Sequence, residues 1–296
     1  VLLGRFKEGN MIKLYTDTSA NLPLSLTLQH NITVVPFSYS VNSIEATYSD
    51  KTDFDGKTFY DAMRDGAKVR TSMIGVGTFI DYFTESLELG HDVLYIGMSG
   101  GISGTANAAS IAVKELREKY PDANISAIDT FAASLGEGLL VLEAARLISQ
   151  GKTFAEVEKR ILQRKNSMCQ YFTVDNLEYL KRGGRISSAV ALVGTILNIK
   201  PLLTGDENGK IIMCGKVRGR KQALNSLAEK YDQLAFDKKE DIAIAHADCE
   251  ADAEYLISKL REVGFQGECL TVCYEPVTGS HVGPGAVALF FQGKNK

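Results

Sequence analysis

The sequence predicts an α/β protein of two domains. Residues 11–165 are expected to form a doubly wound, mostly parallel sheet, and residues 166–296 an α/β domain with a mixed sheet. Three observations predict this. In the first half, short apolar runs of strand length alternate with runs of helical spacing. The second half carries a hairpin signal, two extended runs joined by "DENG". The chain of 296 residues is longer than a single core commonly organises.

In chain order, "IKLYTD" reads as a strand, "LPLSLTLQHN" as a weak helix and "ITVVPFSYSV" as a β-rich run. "FDGKTFYDAMRDG" has helical spacing. "GTFIDYFTESLELG" is a clearer helix that Gly90 terminates. Strand "DVLYIGMS", helix "ANAASIAVKELREKY" stopped by Pro121, strand "NISAIDT" and helix "GEGLLVLEAARLISQG" complete the first domain. Helix "TFAEVEKRILQRKN" leads into strand "CQYFTV". The turn "DNLEYLKRGGRIS", an apolar helix over "SSAVALVGTILNI" and the hairpin "KPLLTGDENGKIIMCGKVRG" follow. The chain closes with helix "RKQALNSLAEKYDQLA", strand "DIAIAHAD", helix "AEYLISKLREVG" and strands "GECLTVCYEPV" and "VALFFQ".

Composition narrows the class. Hydrophobic residues make up 45% and charged residues 23%, and the formal net charge is -3. That is ordinary globular composition, and its sign argues against a nucleic-acid partner. The 5 cysteines are scattered without a C-x-x-C pair, and "VLLGRFKEGN" is too short and polar for a signal peptide. The expectation is a cytoplasmic protein with reduced thiols and no membrane span.

Candidate sites lie where strands end in glycines and hydroxyls: Asp17, Thr18 and Ser19; Thr71 and Ser72, placed before a helix starting near Gly77; and Ser99, Gly100, Gly101, Ser103, Gly104 and Thr105. Ligands of doubly wound sheets sit at such strand ends, and backbone N–H groups at a helix start suit an anion. The same residues also serve as helix caps. Gly101-Ile102-Ser103-Gly104-Thr105 lacks the spacing of a serine nucleophile elbow, and the turn has no Walker lysine. Lys181, Arg182 and Arg185 flank a Gly-Gly turn, and "KVRGRK" adds Lys216, Arg218, Arg220 and Lys221. These are solvated turns, or turns that jointly meet an anion or an acidic partner surface. His281 precedes a Gly-Pro-Gly turn and His246 ends a strand. No Cys/His spacing fits a metal.

Taken in order, "TDTSANLP", "TSMIG", "SGGISGT", "IDTFAASLGEG", "YLKRGGRIS", "IKPLL", "GKVRGRKQAL" and "HVGPGA" resemble the DegV family, bacterial fatty-acid-binding proteins of the FakB type. The resemblance implies one long-chain fatty acid buried between two α/β domains, its carboxylate held by hydroxyl and backbone groups. It implies a non-enzyme that presents this substrate to a FakA-type fatty acid kinase for phospholipid synthesis, needs no cofactor, and makes at most transient membrane contact. Carried over by motif, Thr71, Ser72, Ser99, Gly100 and His281 bind the fatty acid, and Arg185 with His281 supports phosphoryl transfer or kinase docking. The chain departs from the family pattern at "TSMIG", which lacks a proline and a serine, and at Gly100, which replaces a second serine. Read from residues alone, an enzyme acting on a small phosphorylated or carboxylated metabolite, and an interaction protein, both stay open.

Overall fold

The structure, a computed structural model, describes residues 11–48, 54–187 and 198–294. Its first sheet is parallel. Strands β1 (Ile12–Asp17), β2 (Ile32–Val35), β6 (Asp92–Gly97) and β7 (Ile125–Asp129) lie in the order β2-β1-β6-β7. All six residues of β6 are buried, as the continuous apolar run "DVLYIG" requires of a strand covered on both faces. Helices Val76–Glu88 and Thr105–Lys119 pack together against this sheet.

The run "ITVVPFSYSV" is not one strand. Pro36 has no N–H to extend a ladder, and the chain changes sheets there. Strand β3 (Phe37–Val41) joins β4 (Ile44–Tyr48) and β5 (Val69–Ser72) in a separate antiparallel sheet, order β4-β3-β5. The two-residue turn between β3 and β4 places Asn42 and Ser43 at φ 49° and 70°, the left-handed pair that a tight hairpin needs. Thr71 and Ser72 therefore end strand β5, opposite Tyr39 and Ser38, and the helix expected near Gly77 begins at Val76. Strands β4 and β5 are short and mostly polar, so period-2 burial left little signal in them.

The second sheet is mixed: β10 (Ile211–Arg218), β9 (Ile199–Gly205), β8 (Met168–Thr173), β13 (Val287–Gln292), β11 (Ile242–His246) and β12 (Cys269–Cys273), in that order. Only β11 and β12 run parallel. The turn between β9 and β10 is the "DENG" segment. Asp206 Oδ1 accepts from the N–H groups of Asn208 at 2.9 Å and Lys210 at 2.8 Å, and Gly209 takes φ 71°. The apolar helix expected over "SSAVALVGTILNI" lies, apart from its ends, outside the described residues.

Helix Leu135–Ser149 packs against β1 and β6 of the parallel sheet and also against β8, β11 and β13 of the mixed one. Its apolar residues on most faces follow from that position. One buried cluster runs from Leu14, Leu94 and Ile96, through Leu140 and Ala144, to Phe172, Ala245 and Phe290. The sequence reading missed a helix, Pro276–Val282. Its signals were present: Pro276 at the first helical position and Gly283, at φ 77°, just past the end.

Candidate functional site

Three distant segments converge at one point. Strand β5 delivers Thr71, the last turn of helix Pro276–Val282 delivers His281, and the turn after helix Glu178–Arg182 delivers Arg185. Helix Pro276–Val282 is fixed at its start by Glu275, whose carboxyl accepts from the N–H groups of Val277 at 2.5 Å and Thr278 at 2.6 Å. Gly183 makes room for the imidazole: a Cβ there would lie 2.3 Å from His281 Nδ1. This explains the Gly-Gly turn beside "HVGPGA" in space as well as in motif.

The Thr71 hydroxyl hydrogen-bonds His281 Nε2 at 2.9 Å. Burial, with the Arg185 charge second, pushes the imidazole down to about 4, so His281 is neutral at neutral pH. Arg185 is half-buried, and that burial lowers its own pKa. Its Nε donates to the Ile102 carbonyl at 3.1 Å and its guanidinium also donates to the Gly183 carbonyl. Among the described residues no carboxylate pairs with it. A half-buried cation satisfied only by carbonyls favours an added anion.

Thr71, Arg185 and His281 stand where a narrow cavity meets a surface cleft. The cavity is a narrow slot with a volume of ≈ 70 Å³. Its walls are mostly apolar and include Phe37, Met98, Phe172, Leu180, Val277 and Phe290. The outer cleft adds Lys68, Arg70 and Arg182. The arrangement suits a ligand with a long apolar tail and an anionic head at the mouth.

The other sequence candidates lie elsewhere. Ser72 is exposed at the end of β5 and does not line the cavity. Ser99 is buried, and its hydroxyl donates to the Gly209 carbonyl at 2.9 Å while its N–H donates to Ala132 at 2.8 Å. Gly209 and Ala132 both line the cavity, so Ser99 ties together two of its walls. Gly100 N–H donates to Asp129 Oδ2 at 3.0 Å, so the anion this turn holds is the chain's own carboxylate. Ser103 lines the cavity and bonds Thr105 at 2.9 Å. His246 accepts from the Cys249 N–H at 3.3 Å and faces another region. In the second basic turn Arg220 is engaged by Asp252 and the Gly285 carbonyl. Among the described residues no cluster of His, Cys, Asp or Glu is placed to hold a metal ion, and no helix is long and apolar enough to cross a membrane.

The motif "TDTSANLP" builds a buried acid cluster. Ser19 Oγ lies 2.5 Å from Asp17 Oδ1 and 2.8 Å from Glu137 Oε2. Sequence reasoning passed over Glu137, although a lone acid between two glycines on an apolar helix was a visible signal. It also passed over Gln170, which lines the cavity from β8 and carries no signal in its neighbours.

Comparison with known proteins shows the family. A family model described as an uncharacterised protein of the DegV family matches residues 11–294. A DegV domain-containing protein of Clostridium perfringens is 38% identical over 284 residues, covering 96% of this chain and 98% of the relative. The chain belongs to the DegV family. Among solved DegV structures, one that describes fatty acid binding by a family protein of Thermus thermophilus matches with a TM-score of 0.84 and 30% identity. It covers 95% of this chain and 99% of that one. A fatty-acid-binding DegV protein of Streptococcus agalactiae matches with a TM-score of 0.85 and 29% identity, over 97% of this chain and 100% of its own. The DegV fold is therefore that of this chain, with its parallel and mixed sheets.

Proposed function

We propose that this protein binds one long-chain fatty acid between its two domains, residues 11–165 and 166–296. The acyl chain occupies the apolar slot and the carboxylate sits at Thr71, His281 and Arg185. The protein then presents the carboxylate to a FakA-type fatty acid kinase, and the acyl phosphate enters phospholipid synthesis. In this reading it is a carrier and the chemistry belongs to the kinase. Ser99 and Gly100 serve the site from behind, by holding the walls.

The observation that carries the reading is a half-buried Arg185 with no carboxylate partner among the described residues, beside a Thr71–His281 hydrogen bond at the mouth of a narrow apolar cavity. The relatives' solved structures, named for fatty acid binding, support it. The energetics agree. Each buried methylene contributes about 0.8 kcal/mol, so a long acyl chain supplies on the order of 10 kcal/mol before ordering costs. A small polar metabolite would leave those apolar walls unused.

Delipidated protein is titrated with a long-chain fatty acid and, separately, with butyrate, which has the same headgroup. Saturable binding of the long acid alone is expected, and equal binding of both would contradict the reading. With ATP, acyl phosphate is expected only when a fatty acid kinase is added. Turnover by the protein alone would favour the metabolite enzyme.

A further inference from the structure

The mouth of the slot opens into a second space of different chemistry. The outer cleft has a volume of ≈ 430 Å³, far roomier than the slot. Thr71, Arg185 and His281 border both, so the two spaces are continuous at those residues. Lys68, Arg70 and Arg182 border the cleft and not the slot. Strand β5 is an outer strand of its three-stranded sheet, so residues from both of its faces border the cleft along its free edge. Among the described residues no acid borders the cleft. Lys181, next to Arg182 in the chain, pairs with Glu178 at 3.2 Å, whereas Lys68, Arg70 and Arg182 pair with no carboxylate among the described residues.

The chain as a whole is acidic, with a formal net charge of -3, so this concentration of positive charge is local. Charges of one sign along the walls of a cleft focus the field inside it and draw in the opposite charge. A fatty-acid carboxylate carries one negative charge and is met at Thr71, His281 and Arg185. It leaves the three outer cations unanswered. A phosphate monoester carries about two negative charges and three strong acceptor oxygens, which arginine and lysine both bind. The outer cations stand beyond the mouth, so the phosphate that suits them lies several atoms past the acyl carbonyl. The cleft has room for that linker.

We infer that the outer cleft is a phosphate subsite, and that the protein also binds a single-chain lipid whose phosphate monoester is joined to the acyl group through a short polar linker. The acyl chain lies in the slot, the ester at Thr71, His281 and Arg185, and the phosphate among Lys68, Arg70 and Arg182. For the acyl chain the inference rests on the fatty-acid reading above.

Displacement of labelled palmitate from delipidated protein is the test. The competitors are 1-palmitoylglycerol 3-phosphate, 1-palmitoylglycerol, which has the same chain and linker without the phosphate, and inorganic phosphate. The lipids are kept below the concentrations at which they form micelles. The phosphorylated lipid should act at concentrations about tenfold lower than 1-palmitoylglycerol, or lower still, since one charge-assisted hydrogen bond is enough for that factor. Inorganic phosphate should displace nothing. A variant combining Lys68→Ala, Arg70→Ala and Arg182→Ala should lose the advantage of the phosphorylated lipid and hold palmitate as wild type does. Added salt gives a second reading that needs no variant: the advantage should shrink, because exposed charges are screened. Equal potency of the two glycerol lipids, an advantage that survives the triple substitution or added salt, or displacement by inorganic phosphate alone overturns the subsite while fatty-acid binding stands. Wild-type protein that takes up no labelled palmitate overturns the underlying reading instead.

Discussion

The Thr71 hydroxyl and His281 Nε2 meet at 2.9 Å although 210 residues separate them in the chain. The contact joins the small antiparallel sheet to the last helix, and it stands at the mouth of the slot. A carboxylate arriving there can accept from the threonine hydroxyl. Thr71→Val keeps the shape and removes that donor. A hydrogen bond to a charged group contributes about 1.5–3 kcal/mol, so the variant should bind fatty acid roughly tenfold or more weakly. Calorimetric titration reads this, with an unchanged melting temperature showing that the fold is intact.

Arg185 should affect transfer more than binding. In the proposed complex the acyl chain supplies most of the affinity and Arg185 stands at the mouth. Arg185→Ala is expected to change fatty-acid affinity modestly and to slow acyl-phosphate formation by the kinase at least tenfold. Equal rates for wild type and variant under saturating fatty acid would remove Arg185 from that step.

His281 gives the stability a slope in acid. Its folded pKa is depressed to about 4 from the ordinary 6.5, because burial and Arg185 disfavour the imidazolium. Between those values the unfolded chain binds more protons than the folded one, so stability is full above pH 6.5 and falls as pH drops toward 4. The loss is on the order of 3 kcal/mol. Glu275, raised to about 7 by burial, contributes with the opposite sign: stability present below its unfolded value is lost as pH rises toward 7. Comparing wild type with His281→Asn at each pH cancels the Glu275 contribution. The difference in denaturation midpoints should shrink toward acid, and a constant difference would contradict a neutral His281.

The buried acids Asp17 and Glu137 share one proton by simple counting. Asp17 accepts from Ser19 N–H, Ser19 Oγ, Tyr95 Oη and Met98 N–H. Ser19 Oγ has one proton for two carboxyls, so one of the two acids carries a proton, and because Asp17 has three other donors we assign it to Glu137. Burial, then repulsion from Asp17, raises the Glu137 pKa well above the carboxylate range. An infrared band of a protonated carboxyl is therefore expected at neutral pH and should vanish in Glu137→Gln, which keeps the hydrogen bonds and the stability. Glu137→Ala, which strands the Thr16 and Ser19 hydroxyls, should cost about 2–4 kcal/mol in denaturant unfolding. A spectrum without that band in wild type would place both acids in the ionised state.

Much of this was legible in the sequence, and the gaps have physical causes. The alternation of strands and helices reads out burial on both faces, which is why the all-buried run "DVLYIG" and the "DENG" turn stand out. Strands Ile44–Tyr48 and Val69–Ser72 escaped because a small, half-exposed sheet buries too little to leave a period. The helix at Pro276 escaped although its proline and glycine marked both ends. The motif reading brought out Thr71, Arg185 and His281, which the fold brings together. It could not bring out the partners of Ser99 and Gly100. Those are Gly209, 110 residues on, and Asp129, and only the fold puts them there. Gln170 is silent in sequence for the same reason: only the fold brings its amide to the Phe131 carbonyl and the Ala133 N–H.

The central claim is that the slot is built for an acyl chain. Mass spectrometry of a solvent extract from freshly purified protein tests it most directly. A long-chain fatty acid near one equivalent per chain is the predicted result. An extract free of fatty acid, from protein that also fails to take up added long-chain acids, would contradict it.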